Sequence, residues 1–265
     1  MTETPPKVKI CGITDLRDAE LAVELGAWAI GMVFYEHSPR QCSTEQALRI
    51  TTALRRRTEL CGVFVDATLD EIAQRAEELS LTMLQLHGDE GPSFCAEAAR
   101  RTGAHVIKAA QVSGAGDVRD LERFHVDFHL LDGRAGRSSS GTPGSRNLRG
   151  GTGETFDWSL LAGRRSKTPL ILSGGLSSGN VAEAIARVRP YGVDTASGTE
   201  RAPGHKDEAR LRAFFDAVAA TAAETDPPVA TSTEITPGAA DATTATSAPT
   251  TTTTTNSAPI EGAPA

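Results

Sequence analysis

Two side chains able to move protons end apolar runs that lie far apart in this chain. The first is Cys11, in Val8-Lys9-Ile10-Cys11-Gly12-Ile13-Thr14, and the second is Asp132, in Phe128-His129-Leu130-Leu131-Asp132-Gly133. Each run stops at a reactive group followed by Gly, the pattern of a strand that delivers a functional group to a loop. A thiol and a carboxyl delivered to one place make a general base and a general acid, so the chemistry is proton transfer. As a base, Cys11 needs thiolate character and a neighbour that lowers its pKa. Lys9, two residues earlier on the same strand face, is the candidate cation. As an acid at neutral pH, Asp132 must be held protonated by burial or by nearby negative charge. The plainer alternatives are a packing cysteine and a turn-capping aspartate.

Other residues suit an anionic ligand. Leu172-Ser173-Gly174-Gly175-Leu176 and Ala196-Ser197-Gly198 follow short apolar runs. Small residues let backbone N–H groups approach phosphate oxygens. Arg40, in His37-Ser38-Pro39-Arg40, carries the fork that best matches a carboxylate, but a solvated surface arginine is the plainer expectation. His87 is expected to be a core histidine bonded to backbone. Cys42, Cys61 and Cys95 read as packing residues. The four cysteines show no C-x-x-C spacing and are expected to be free thiols.

The elements that must position these groups alternate strictly. Strands are expected over 8–11, 29–34, 61–65, 82–87, 105–109, 128–132, 170–173 and 192–195. Helices are expected over 16–25, 44–56, 69–79, 92–101, 116–124, 158–162, 180–188 and 206–223. Ser43-Thr44-Glu45-Gln46 and the stretch from Asp66 to Asp70 supply helix starts, while Gly26 and Gly103 supply helix ends. Eight β-then-α units imply a closed (β/α)8 barrel of the TIM type. A doubly wound open sheet is the rival, but Cys11-Gly12-Ile13 is not the Gly-rich turn that such sheets carry. In a barrel the site lies at the C-terminal ends of the strands. Cys11, His87, Asp132, Ser173-Gly174-Gly175 and Asp194-Thr195-Ala196-Ser197-Gly198 should then surround one mouth.

Bulk composition bounds the rest. Of 265 residues, 1–223 are expected to form the barrel. Residues 224–265 are rich in Thr, Ala and Pro and read as a disordered tail. The segment 133–153 is long for a barrel loop and holds Arg134, Arg137, Arg146 and Arg149, a potential anion-attracting insertion. The net charge is −7 with no basic block, which argues against nucleic-acid binding. No stretch suits a bilayer span or a signal peptide, so a cytoplasmic protein without membrane contact is expected.

Taken in order, these motifs resemble the phosphoribosylanthranilate isomerase family from about Val8 to Phe215. The carrying residues are Lys9 to Thr14, Ser38-Pro39-Arg40, Gln85-Leu86-His87-Gly88, Leu131-Asp132, Gly150-Gly151-Thr152-Gly153 with Thr155-Phe156-Asp157-Trp158, Leu172 to Leu176, and Asp194 to Glu200. The resemblance implies an Amadori rearrangement in tryptophan biosynthesis, its third committed step, with Cys11 as base and Asp132 as acid. It implies that Arg40 binds the anthranilate carboxylate, that Gly174, Gly175, Ser197 and Gly198 hold the phosphate, and that Asp194 supports the site. It implies no cofactor or metal, a small phosphosugar substrate, and a monomer, with a dimer as the alternative. Ala196 and Glu154 depart from the family's common residues, and both are expected to tune the site. A metal-dependent epimerase would need inward His and carboxylate ligands on several strand tips, and only His87 and the two Asp residues offer them. A phosphate-ligand binder without turnover is the non-enzymatic alternative.

Overall fold

The computed structural model describes residues 5–133 and 157–223. The four loop arginines, the 150–153 glycine run, Glu154 and the 224–265 tail lie outside the described residues.

Each apolar run becomes a short strand because both of its faces have something to pack against. The first half of the chain gives β1 (Lys7–Cys11), α1 (Leu16–Glu24), β2 (Ala29–Val33), α2 (Thr44–Leu54), β3 (Glu59–Phe64), α3 (Leu69–Leu79), β4 (Met83–Leu86) and α4 (Pro92–Thr102). The second gives β5 (His105–Val112), α5 (Ala115–Leu121), β6 (Phe128–Gly133), a 3-10 helix (Trp158–Gly163), β7 (Leu170–Leu172), α6 (Val181–Val188) and β8 (Gly192–Thr195). A 3-10 turn (Ser197–Thr199), the hairpin β9 (Glu200–Ala202) and β10 (His205–Lys206), and α7 (Glu208–Ala223) complete it. Strands β1 to β8 pair in parallel in chain order, and β8 pairs with β1 to close the barrel. The open-sheet alternative is thereby excluded.

Side-chain alternation along each strand builds two cores. Inward residues such as Ala29, Cys61, Val63, Met83, Ile107, Leu130 and Ile171 fill the barrel. Outward residues such as Ile10, Ile30, Leu84, Leu131 and Leu172 pack under the helices. At the N-terminal end, Trp28, Phe128 and Tyr191 meet edge-on or tilted, with ring centroids 5.4 to 5.8 Å apart, and cap the inner core.

Helix ends follow local chemistry. Ser43 accepts the Gln46 N–H and starts α2. The 66–70 stretch does start α3, but through Thr68: its hydroxyl accepts the Glu71 N–H while Glu71 reaches back to the Thr68 N–H. Gly103 ends α4 in the left-handed region at φ 68°.

Two expectations are corrected. The eighth helix does not start at Lys206. That residue closes the β9–β10 hairpin, and its N–H donates to Asp18 Oδ2 at 2.7 Å. Pairing with Glu200 holds Lys206 in extended backbone, so the helix starts one residue later, where Asp207 accepts the Arg210 N–H and begins α7. Strand β5 continues to Val112, three residues beyond the expected end, because β6 pairs along it as far as Gly133.

Candidate active site

The C-terminal ends of the strands surround a cavity that opens to solvent. Cys11, Arg40, His87, Asp132, Gly174, Gly175, Asp194 and Ser197 all line it. Residues up to 186 positions apart in sequence are brought together by barrel closure, as the alternation required. Gly198 lies behind this wall, where an added Cβ would meet the Leu176 carbonyl oxygen at 2.0 Å. Its absence of a side chain lets the β7 and β8 loops touch.

Cys11 ends β1 facing inward and is 8% exposed. Burial pushes its thiol up. Lys9 opposes that rise most strongly, Asp194 adds to it, and Lys206 opposes it more weakly. The expected cation therefore exists, but burial outweighs it. Cys42 and Cys95 lie in the outer core and Cys61 in the inner one. Burial pushes them to about 11, 11 and 12, so they stay thiols. All four cysteines are free.

Asp132 is 5% exposed near the end of β6. Burial raises its carboxyl to about 7; Asp194 adds to the rise, while the Gly133 N–H and Lys9 resist it. A carboxyl poised near neutrality can both hold and release a proton, which suits an acid–base role. His87 is not a remote core histidine. Its Nε2 lies 3.7 Å from Asp132 Oδ2 and its Nδ1 3.1 Å from Gln85 Nε2, at the cavity wall.

Arg40 is not a solvated surface residue either. Its side chain is 13% exposed, and Glu200 takes its Nε and Nη2 atoms at 2.8 to 3.0 Å. Nη1 takes no part in that fork. Glu200 is fixed in turn: Oε1 accepts from Lys206 Nζ at 3.3 Å. Lys206 is buried and also donates to the carbonyls of Cys11 at 2.7 Å and Ala196 at 3.0 Å. The hairpin thus ties the Arg40 side chain to the backbone of the thiol. Sequence reasoning missed Glu200 and Lys206. The Pro203-Gly204 turn dipeptide between two short polar runs was the available signal.

Asp194 stands in register with Lys9 across the β8–β1 seam. Oδ1 accepts from Lys9 Nζ at 2.8 Å and Oδ2 from the Ser173 hydroxyl at 2.9 Å. Both carboxylate oxygens therefore already hold protein partners. Ser173 leads into Gly174, whose φ is +89° and whose added Cβ would sit 2.2 Å from the Gly133 nitrogen. Only glycine allows that approach, which brings the β7 loop against the strand that carries Asp132. Among the described residues, no group of three or more His, Cys, Asp and Glu is arranged to hold a metal ion.

Known proteins are similar to this chain in sequence and fold. Residues 8–217 match the family model described as N-(5'-phosphoribosyl)anthranilate (PRA) isomerase. The chain is 43% identical to the N-(5'-phosphoribosyl)anthranilate isomerase of Pelobacter propionicus, over 83% of this chain and 98% of that one. It is similar to the crystal structure of phosphoribosyl anthranilate isomerase from Thermotoga maritima, with a TM-score of 0.70 and 40% identity, covering 81% of this chain and 99% of that one. A further isomerase crystal structure, in complex with reduced 1-(o-carboxyphenylamino)-1-deoxyribulose 5-phosphate, matches with a TM-score of 0.67 and 38% identity, covering 81% and 99% of the two chains.

Proposed function

The chain belongs to the N-(5'-phosphoribosyl)anthranilate isomerase family, and from that premise we propose that Cys11 and Asp132 carry its proton transfers. The enzyme is an intramolecular oxidoreductase of tryptophan biosynthesis. It converts N-(5-phosphoribosyl)anthranilate into 1-(2-carboxyphenylamino)-1-deoxyribulose 5-phosphate.

The chemistry opens with two proton movements at the enzyme's side chains and closes with a tautomerisation. Protonated Asp132 donates to the ribose ring oxygen, the C1–O bond breaks, and the nitrogen lone pair forms the Schiff base. The Cys11 thiolate then takes the C2 proton; that electron pair makes the C1–C2 double bond while the C1=N pair returns to nitrogen, giving an enol-amine. The enol loses its O–H proton, C1 gains one, and the ketone results. The substrate nitrogen is the electron sink throughout.

Arg40 meets the anthranilate carboxylate with the part of its guanidinium that Glu200 leaves over, since a planar fork suits that anion. Gly174, Gly175 and Ser197 present backbone to the phosphate, and Gly198 gives the β8 loop its path behind them. Asp194 acts from behind, through Lys9 and Ser173. The substrate is a small phosphosugar. The protein works in the cytoplasm as a monomer; among the described residues the large exposed apolar side chains are Leu48 and Tyr191, which offer little dimer surface.

One observation carries the assignment: a thiol and a carboxyl near neutral pKa line the same cavity. Cys11→Ala and Asp132→Asn should each lower kcat by about a hundred- to ten-thousandfold, with circular dichroism unchanged. Near-normal turnover in either variant would remove that residue from the mechanism.

A further inference from the structure

An ion pair lies between the base and the acid, and neither proton movement above consumes it. Lys9 is fully buried inside the barrel, with Nζ 2.8 Å from Asp194 Oδ1. Burying two charges is costly, and a well-packed apolar pair is often as stable, so stability is a weak reason for keeping it. Its direction is informative. Lys9 shares β1 with Cys11, and both side chains turn into the space left by Gly31 on β2. A Cβ there would meet Cys11 Sγ at 3.0 Å and Lys9 Nζ at 3.1 Å. The anionic end sits on β8, on the side of β6. There Ser173 holds Asp194 Oδ2, and the next residue, Gly174, packs on Asp132, its Cβ position 3.1 Å from Oδ1.

We propose that the Lys9–Asp194 pair is an oriented dipole, its cation facing the thiol and its anion facing the acid, that drives the proton from sulfur to carboxyl. The proposal rests on Cys11 being the base and Asp132 the acid. The productive state is thiolate with protonated carboxyl. One turnover leaves the reverse, S–H with carboxylate, because Asp132 has given a proton and Cys11 has taken one. The site is reset when one proton leaves the sulfur and one joins the carboxylate, and the dipole favours that outcome at both ends.

The neighbouring charges agree with this direction. On Cys11 the lowering by Lys9 exceeds the raising by Asp194. On Asp132 the order reverses, with the raising by Asp194 exceeding the lowering by Lys9. Lys206, bonded to the Cys11 carbonyl, adds positive character at the sulfur and is itself countered by Glu200. Cys61 faces Lys9 from the inner core and stays neutral. His87 faces Asp132 at 3.7 Å. Lys9 and Asp194 are thus positioning residues that act through the two proton carriers.

The test is titration of each carrier in three variants: Lys9→Met, Asp194→Asn, and the two combined. Thiolate ultraviolet absorbance, taken as a difference against the matching Cys11→Ala protein, follows the base. The infrared carboxyl band, taken as a difference against the matching Asp132→Asn protein, follows the acid. Lys9→Met should move the thiol up by about one unit or more, and Asp194→Asn should move Asp132 down by a similar amount. The double variant leaves no unpaired buried charge, so it keeps the test alive if a single variant misfolds. In it the two titrations should separate, by less than the sum of the single shifts because each carrier also loses the opposing charge, and kcat/KM should fall about tenfold for each unit of separation. Unmoved titrations in a folded double variant would overturn the proposal, whatever its activity. Active Cys11→Ala or Asp132→Asn proteins would instead overturn the assignment of base and acid, a separate outcome.

Discussion

Two titrating side chains decide how this site responds to pH. Asp132 loses its proton at about 7, and burial sets Cys11 above its ordinary 9.0. The reactive form needs thiolate and protonated carboxyl together, so it is a minor form at every pH. Its share climbs until Asp132 begins to ionise, stays level while each unit of pH gains thiolate and loses acid equally, and falls once the thiol is ionised. kcat/KM should therefore be bell-shaped, with a rising limb near pH 7 and a falling limb above 9. A profile flat through pH 6 to 8 would contradict this ordering. The same carboxyl affects stability. Its folded-state value lies above its ordinary 3.8, so the fold favours the protonated group. That contribution is whole below pH 3.8 and is lost as pH rises through 7. Asparagine stays neutral throughout. Asp132→Asn should thus be more stable than the parent at pH 8, by up to about 4 kcal/mol, and no more stable below pH ~4. Equal urea midpoints at pH 8 would show that the carboxyl ionises without cost.

At the scale of elements, strand tips set direction and loops set contact. β1 and β6 bring Cys11 and Asp132 to the mouth because inward and outward residues alternate and both strands end there. The β7 and β8 loops close over the site only because Gly174 and Gly198 lack side chains. Gly198→Ala would place a Cβ 2.0 Å from the Leu176 carbonyl oxygen. Backbone cannot yield there as a flexible side chain does, so the two loops must part. The KM for substrate should rise about tenfold or more, with the melting temperature lowered by a few degrees. An unchanged KM would separate this contact from phosphate binding. The β9–β10 hairpin is the other deciding element. Through Glu200 and Lys206 it joins Arg40 to the Cys11 carbonyl, so carboxylate binding and base position share one support.

The described residues form a barrel whose closing seam is also its chemical centre. β8 meets β1 where Lys9 pairs with Asp194, and the same register sets Cys11 beside the last two loops. Trp28, Phe128 and Tyr191 pack together at the opposite end. The family match stops at residue 217 of 265, and the composition beyond Glu224 offers little apolar surface to bury. Deleting 224–265 should leave kcat/KM within about twofold of the full chain and the unfolding free energy within about 0.5 kcal/mol of it. A clear loss of either would give the tail a place in the working enzyme.

The sequence determined what is periodic or local. Strict alternation of strand and helix gave eight units and thereby the barrel; Ser43 and Gly103 marked helix ends; Cys11 and Asp132 were legible because a reactive group at a strand tip breaks an apolar run. What it left open depends on partners distant in the chain. Arg40 looked like a surface residue until Glu200, 160 positions away, was seen to hold it. His87 looked like a core residue until barrel closure set it at the Asp132 wall. Lys206 fitted a helix start until pairing with Glu200 drew it into the hairpin. The raised pKa of Asp132 comes from burial and from Asp194, and neither exists before the barrel closes. Residue type and spacing fix which groups reach the mouth, whereas charge, burial and orientation arise from through-space neighbours, which only the tertiary structure supplies.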